Sequence, residues 1–133
     1  MIEFMKDKVI AVLGAGRMGC GIAQVFLDSG IEVHLYDTFP DALQRARLTV
    51  EEMHGMLGGE ASSLERLGLF TDLPVAVGNA DVVIEAIPEK LNLKQDVFAQ
   101  LELHCKPDAL LATNTSAIPI ASIGEHLKTA GRV

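Results

Sequence analysis

Val9-Ile10-Ala11-Val12-Leu13-Gly14-Ala15-Gly16-Arg17-Met18-Gly19 is the stretch that decides the fold. It opens as a nearly unbroken apolar run, the pattern of a strand covered on both faces, as a parallel sheet requires. Gly14 ends that strand. Beyond it Met18, Ile22 and Phe26 recur on one stripe with Gly19 and Ala23 beside them, the spacing of a packed helix face. Gly30 closes the helix, where a left-handed conformation is useful.

Working outward, residues 31–36 read as a second strand that ends at Asp37. A longer helix is expected over 40–57, with Leu43, Ala46, Val50, Met53 and Leu57 repeating at helical spacing until Gly58-Gly59 stops them. Ser62 and Glu65 have the spacing of a capping box for one short turn, and residues 69–71 suggest a short strand. Asp72 is placed to N-cap a small helix over 73–77, with Pro74 tolerated in its first turn. A further strand, 82–84, runs into Glu85-Ala86-Ile87-Pro88. The helix after it, 91–103, should pack through Leu93, Val97, Phe98 and Leu101. Residues 109–112 form the next strand, 113–116 its polar end, and a last helical piece begins near Ser122. Strands alternating with amphipathic helices give an α/β domain over 1–133, of the Rossmann type, doubly wound on a mostly parallel sheet.

Composition narrows the function classes. With 49% hydrophobic residues the chain can build a core, and a formal charge of −7 argues against nucleic acid as a partner. Lys128 and Arg132 read as a solvated end. Cys20 and Cys105 make neither a disulfide framework nor, with the scattered histidines, a metal site. No apolar run reaches the roughly 18 residues of a membrane span, so a cytoplasmic location is the expectation.

The glycine pattern carries the chemistry. Gly14-Ala15-Gly16-Arg17-Met18-Gly19 is G-x-G-x-x-G between a strand and a helix. Gly14 permits the tight turn, Gly16 leaves space for a pyrophosphate, and Gly19 lets helix and sheet close together. Amides at the helix start would receive the negative charge, with Arg17 and Met18 beside them. Asp37, at the end of the second strand, can accept the two ribose hydroxyls of adenosine and would repel a 2′-phosphate, so NAD is preferred over NADP. The plainer alternative makes the glycines ordinary turn residues and Asp37 a turn former before Thr38-Phe39-Pro40.

Three blocks, Ile10 to Gln24, Val83-Ile84-Glu85-Ala86-Ile87-Pro88-Glu89 and Asn114-Thr115-Ser116, resemble the N-terminal domain of the 3-hydroxyacyl-CoA dehydrogenases over nearly the whole chain. The resemblance implies oxidation of an L-3-hydroxyacyl-CoA to the 3-ketoacyl-CoA, with NAD as cofactor. It places Glu89 and Lys94 on the nicotinamide side of the cofactor, and Ser116 near the nicotinamide and the substrate hydroxyl. In that family a catalytic histidine acts with an orienting glutamate. A C-terminal helical domain supplies acyl-CoA contacts and most of a homodimer interface. Histidine and helical domain are both expected to lie outside residues 1–133, leaving the general base absent and this stretch inactive alone. His126 lacks the family position, His34 reads as structural, and His54 and His104 read as surface residues.

One departure bears on substrate. The family holds CoA phosphates with basic residues in a longer helical hairpin, whereas residues 50–60 here contain no Lys or Arg. A different hydroxy acid, as in gulonate dehydrogenases and the lens crystallins related to them, therefore stays open. So do a free-standing dinucleotide-binding module without chemistry and a scaffold that has lost its cofactor.

Overall fold

The computed structural model describes residues 7–59, 61–115 and 120–124. The strands are β1 (Val9–Leu13), β2 (Glu32–Tyr36), β3 (Leu67–Phe70), β4 (Val82–Glu85) and β5 (Leu110–Thr113). They pair in parallel throughout, in the order β3-β2-β1-β4-β5. This is a Rossmann-like α/β fold. The order reverses beside β1, and α/β sheets bind ligands at the carboxyl edge of such a switch point.

β1 is central, and its composition follows from that place. Ile10 and Val12 enter one core with Ala23, Leu27 and Val50. Ala11 and Leu13 enter the other with Val83, Phe98 and Leu101. Successive side chains of a strand point to opposite faces, so a strand sandwiched between helices must be apolar at every step. Helices α1 (Arg17–Asp28) and α2 (Pro40–Met56) cover the first face. Helices α3 (Leu73–Val77), α4 (Leu91–His104) and α5 (Ile120–Gly124) belong to the second.

Local signals mostly act as expected. Gly30 adopts φ +81° after α1, and the Asp72 carboxylate accepts from the Val75 N–H at the start of α3. A 3-10 turn, Ala61–Arg66, occupies the place of the short turn, and the Ser62 side chain lies outside the described residues.

Three helix faces differ from the sequence expectation. In α1 the buried residues are Gly19, Cys20, Ala23, Gln24 and Leu27, while Met18 is exposed and Ile22 and Phe26 are half-buried. The helix is rotated because Gly19 must face the turn it packs against. In α2, Leu43, Ala46 and Val50 are buried, but His54 takes the next inward place and Leu57 is exposed. In α4 the inward residue of the first turn is Lys94, not Leu93, which is exposed.

Candidate functional site

Gly14 holds φ +106°, donates its N–H to the Tyr36 carbonyl at 2.8 Å, and would place a Cβ 2.5 Å from the Ala86 carbonyl oxygen. Only glycine fits there. A Cβ on Gly19 would stand 1.8 Å from the Gly14 oxygen, so this glycine lets α1 rest on the turn itself. Around Gly16 nothing lies within 4 Å of the corresponding position, which leaves the backbone open to a ligand. Gly16 also caps α1 without a side-chain hydrogen bond, and no acidic residue occupies the first turn. A helix start with no side-chain cap and no acidic residue in its own first turn suits an anion.

Asp37 stands directly beside this turn. Its Oδ2 accepts from Ala15 N–H at 3.0 Å and its Oδ1 from Phe39 N–H at 3.0 Å. Each oxygen keeps a further lone pair for a ribose hydroxyl. A cleft of about 620 Å³ runs along the carboxyl edge, lined by Gly14, Gly16, Asp37, Phe39, Ala86 and Ile87 among others. Arg17 and Met18 flank its mouth and are exposed. The Tyr36 hydroxyl, at the same edge, is pushed above its ordinary value by burial, then by the charges of Asp37 and Asp72.

The far side of the edge is built around an ion pair. Lys94 Nζ lies 3.0 and 2.9 Å from the two oxygens of Glu85, with both side chains fully buried. The same ammonium is 2.8 Å from Glu89 Oε1, which also accepts from Thr115 Oγ1 at 2.9 Å. Glu85 further accepts from Ile87 N–H at 2.7 Å and from the Thr113 hydroxyl. A buried charge needs such partners. Burial alone would push the Lys94 ammonium down. Its hydrogen bonds to Glu89 and Glu85, and their charges, outweigh that and hold it above its ordinary value.

Glu89 and Lys94 are thus brought together at the ends of β4 and β5, on the side of the glycine turn away from Asp37. Ser116 lies outside the described residues, as does His126. Glu85 carries no role in the sequence reading. Its signal was a carboxylate ending an apolar central strand, which demands a cation nearby.

No histidine lines the cleft among the described residues. His34 reaches the Ala76 carbonyl at 3.1 Å and Glu32 at 2.7 Å. His104 is exposed at the end of α4. His54, expected on the surface, is buried instead, 2.7 Å from Asp28 Oδ1 and 3.3 Å from Gln24. The loop after α2 presses on its ring, so that a Cβ on Gly59 would overlap the imidazole. Burial pushes the Cys20 thiol above its ordinary value. Among the described residues there is no group of three potential metal ligands, and no helix is long and apolar enough to cross a membrane.

The family model described as "3-hydroxyacyl-CoA dehydrogenase, NAD binding domain" matches residues 9–133. The 3-hydroxyadipyl-CoA dehydrogenase of Escherichia coli K12 is 42% identical over 95% of this chain, which covers 28% of that protein. A crystal structure of (S)-3-hydroxybutyryl-CoA dehydrogenase from Ralstonia eutropha superposes with TM-score 0.87 at 29% identity, over 94% of this chain and 47% of the other. The L-carnitine dehydrogenase of Streptomyces coelicolor is 37% identical over 86% of this chain and 37% of its own length. The chain therefore spans between about a quarter and a half of the length of these three proteins. The match extends through sequence and fold, and the chain belongs to the 3-hydroxyacyl-CoA dehydrogenase family as its NAD-binding domain.

Proposed function

We propose that this chain is the NAD-binding portion of an enzyme that oxidises an L-3-hydroxyacyl-CoA to the 3-ketoacyl-CoA. The observation that carries the cofactor reading is the open backbone at Gly16 over an uncapped helix start, with Asp37 beside it. Gly14, Ala15, Gly16, Arg17, Met18 and Gly19 would form the pyrophosphate cradle, and Asp37 would hold the adenosine ribose. Glu89 would meet the nicotinamide half, with Lys94 beneath it, and Ser116 would orient the substrate hydroxyl. NAD supplies the hydride acceptor when bound. Asp37 orients the ribose and disfavours a 2′-phosphate by repulsion. Ser116 can donate one hydrogen bond and accept another, but its own pKa is too high to hold the alcohol proton.

Taking that proton needs a base poised near neutrality, and histidine is the usual choice. A polypeptide of residues 1–133 should therefore bind cofactor without turning over substrate. Incubation with NAD and 3-hydroxybutyryl-CoA, followed by NADH absorbance, tests this. Turnover of about 1 per second or more would place the base within residues 1–133, with His126 and His34 the first suspects.

A second reading is favoured by one observation. Residues 50–60 carry no Lys or Arg, and include Glu51, Glu52 and Glu60. This favours a hydroxy acid without CoA, in line with the carnitine-oxidising relative. Fluorescence of bound NADH separates the two. A response to acetoacetyl-CoA supports the acyl-CoA reading, and a response only to a small keto acid replaces it.

A further inference from the structure

Glu85, Lys94 and Glu89 together hold two carboxylates around one ammonium. Glu85 and Lys94 are sealed from solvent, and the Glu89 side chain is 35% exposed. The uncompensated negative charge therefore surfaces on Glu89, where Lys94 and Thr115 fix its Oε1. Lys90 and Glu89 are both exposed and water screens both charges, while Glu89 is in addition fixed in place by Lys94 and Thr115. The amino end of α4 adds only about half a positive unit, which leaves the cluster negative.

The position of this charge matters because the sheet orders the edge. Asp37 ends β2, the glycine turn follows β1, and Glu89 and Thr115 follow β4 and β5. A dinucleotide whose adenosine ribose meets Asp37 and whose pyrophosphate meets Gly16 has its other half over Glu89. That half is the one whose charge changes in the reaction, because the oxidised nicotinamide ring is a cation and the reduced ring is neutral.

We propose that the Glu85–Lys94–Glu89 cluster sets the redox bias of the bound cofactor, its excess negative charge at Glu89 favouring the oxidised form over the reduced one. Lys94 is here a positioning residue. It is tied to Glu85 in the core and holds Glu89 in place beyond the end of β4. The proposal rests on the NAD-binding reading and deepens it.

The test is a pair of calorimetric titrations, with NAD and with NADH, on the wild-type chain and on Glu89→Gln. Glutamine keeps the shape and an acceptor oxygen for Thr115 and Lys94 but removes the charge. The ratio of the NAD dissociation constant to that for NADH should rise by about three- to tenfold, as expected for a partly screened unit charge nearby. Tenfold corresponds to ~30 mV for a two-electron couple. Thr115→Val, which keeps the charge and removes one hydrogen bond, should leave the ratio within about twofold, and raising the salt should shrink the Glu89→Gln effect. An unchanged ratio in Glu89→Gln, whether both affinities fall or neither does, overturns the proposal while leaving cofactor binding intact. A shift in Thr115→Val as large as in Glu89→Gln overturns the charge argument as well. Failure of the wild-type chain to bind either form overturns the NAD-binding reading and the proposal with it.

Discussion

Gly19→Ala and Gly16→Val should separate stability from binding within one turn. At Gly19 the added methyl would stand 1.8 Å from the Gly14 carbonyl oxygen, where an ordinary C···O contact needs about 3.3 Å. α1 would have to withdraw by more than an ångström. Neither side yields easily, since Gly14 is fixed by its bond to Tyr36 and its fit under Ala86, and Gly19 lies within α1. Overpacking of this kind costs up to about 3 kcal/mol, or a Tm lower by about 10–15 °C for a domain of this size. At Gly16 nothing lies within 4 Å of an added Cβ and φ is −79°, so the Cβ of valine meets no neighbour. Valine is a poorer N-cap than glycine by about 1 kcal/mol, so the Tm of Gly16→Val should fall by no more than about 5 °C. NADH binding should weaken by about 10- to 100-fold, the size of a packing clash. Circular-dichroism melts and NADH fluorescence read the two effects. Wild-type melting of Gly19→Ala, or wild-type affinity of Gly16→Val, would refute the reasoning.

Other substitutions probe the rest of the edge and the base of the sheet. Asp37→Asn should narrow the preference for NADH over NADPH by about tenfold, because charge repulsion is lost and one charge-assisted hydrogen bond is worth ~1.5–3 kcal/mol; paired titrations read it. Lys94→Met should cost about 3–5 kcal/mol by stranding the buried Glu85 carboxylate, and adding Glu85→Leu should recover part of that in urea unfolding. Asp81 accepts from Lys106 and from Val9 N–H, and these hold its carboxyl below the ordinary value. Its contribution to stability is complete above the unfolded carboxyl pKa of about 3.9. It is lost as pH falls through the lower folded value. Asp81→Asn should therefore flatten the acid limb of the stability profile below about pH 4.

Much of this was legible in the residues because it is local. The apolar run 9–13, the glycine turn and Asp37 need only their neighbours in sequence to be read, and the last two line the cleft. What escaped depends on distant partners. Periodicity cannot tell Leu93 from Lys94 on the first turn of α4, since one step around the helix separates them; the buried Glu85 decides it. The same holds for His54, which looks like a surface residue until α1 brings Asp28 and Gln24 against it. In α1 the inward face was set by the one contact that only glycine permits, at Gly19, rather than by the largest apolar side chains.

The central claim is that the carboxyl edge of this sheet, at Gly16 and Asp37, is a site for NAD. Its most direct test is a fluorescence titration of the wild-type chain with NADH and, separately, NADPH. Saturable NADH binding, tighter than NADPH and lost in Gly16→Val while the fold persists, is the predicted result. Absence of NADH binding by a folded chain, or tighter binding of NADPH, would contradict it.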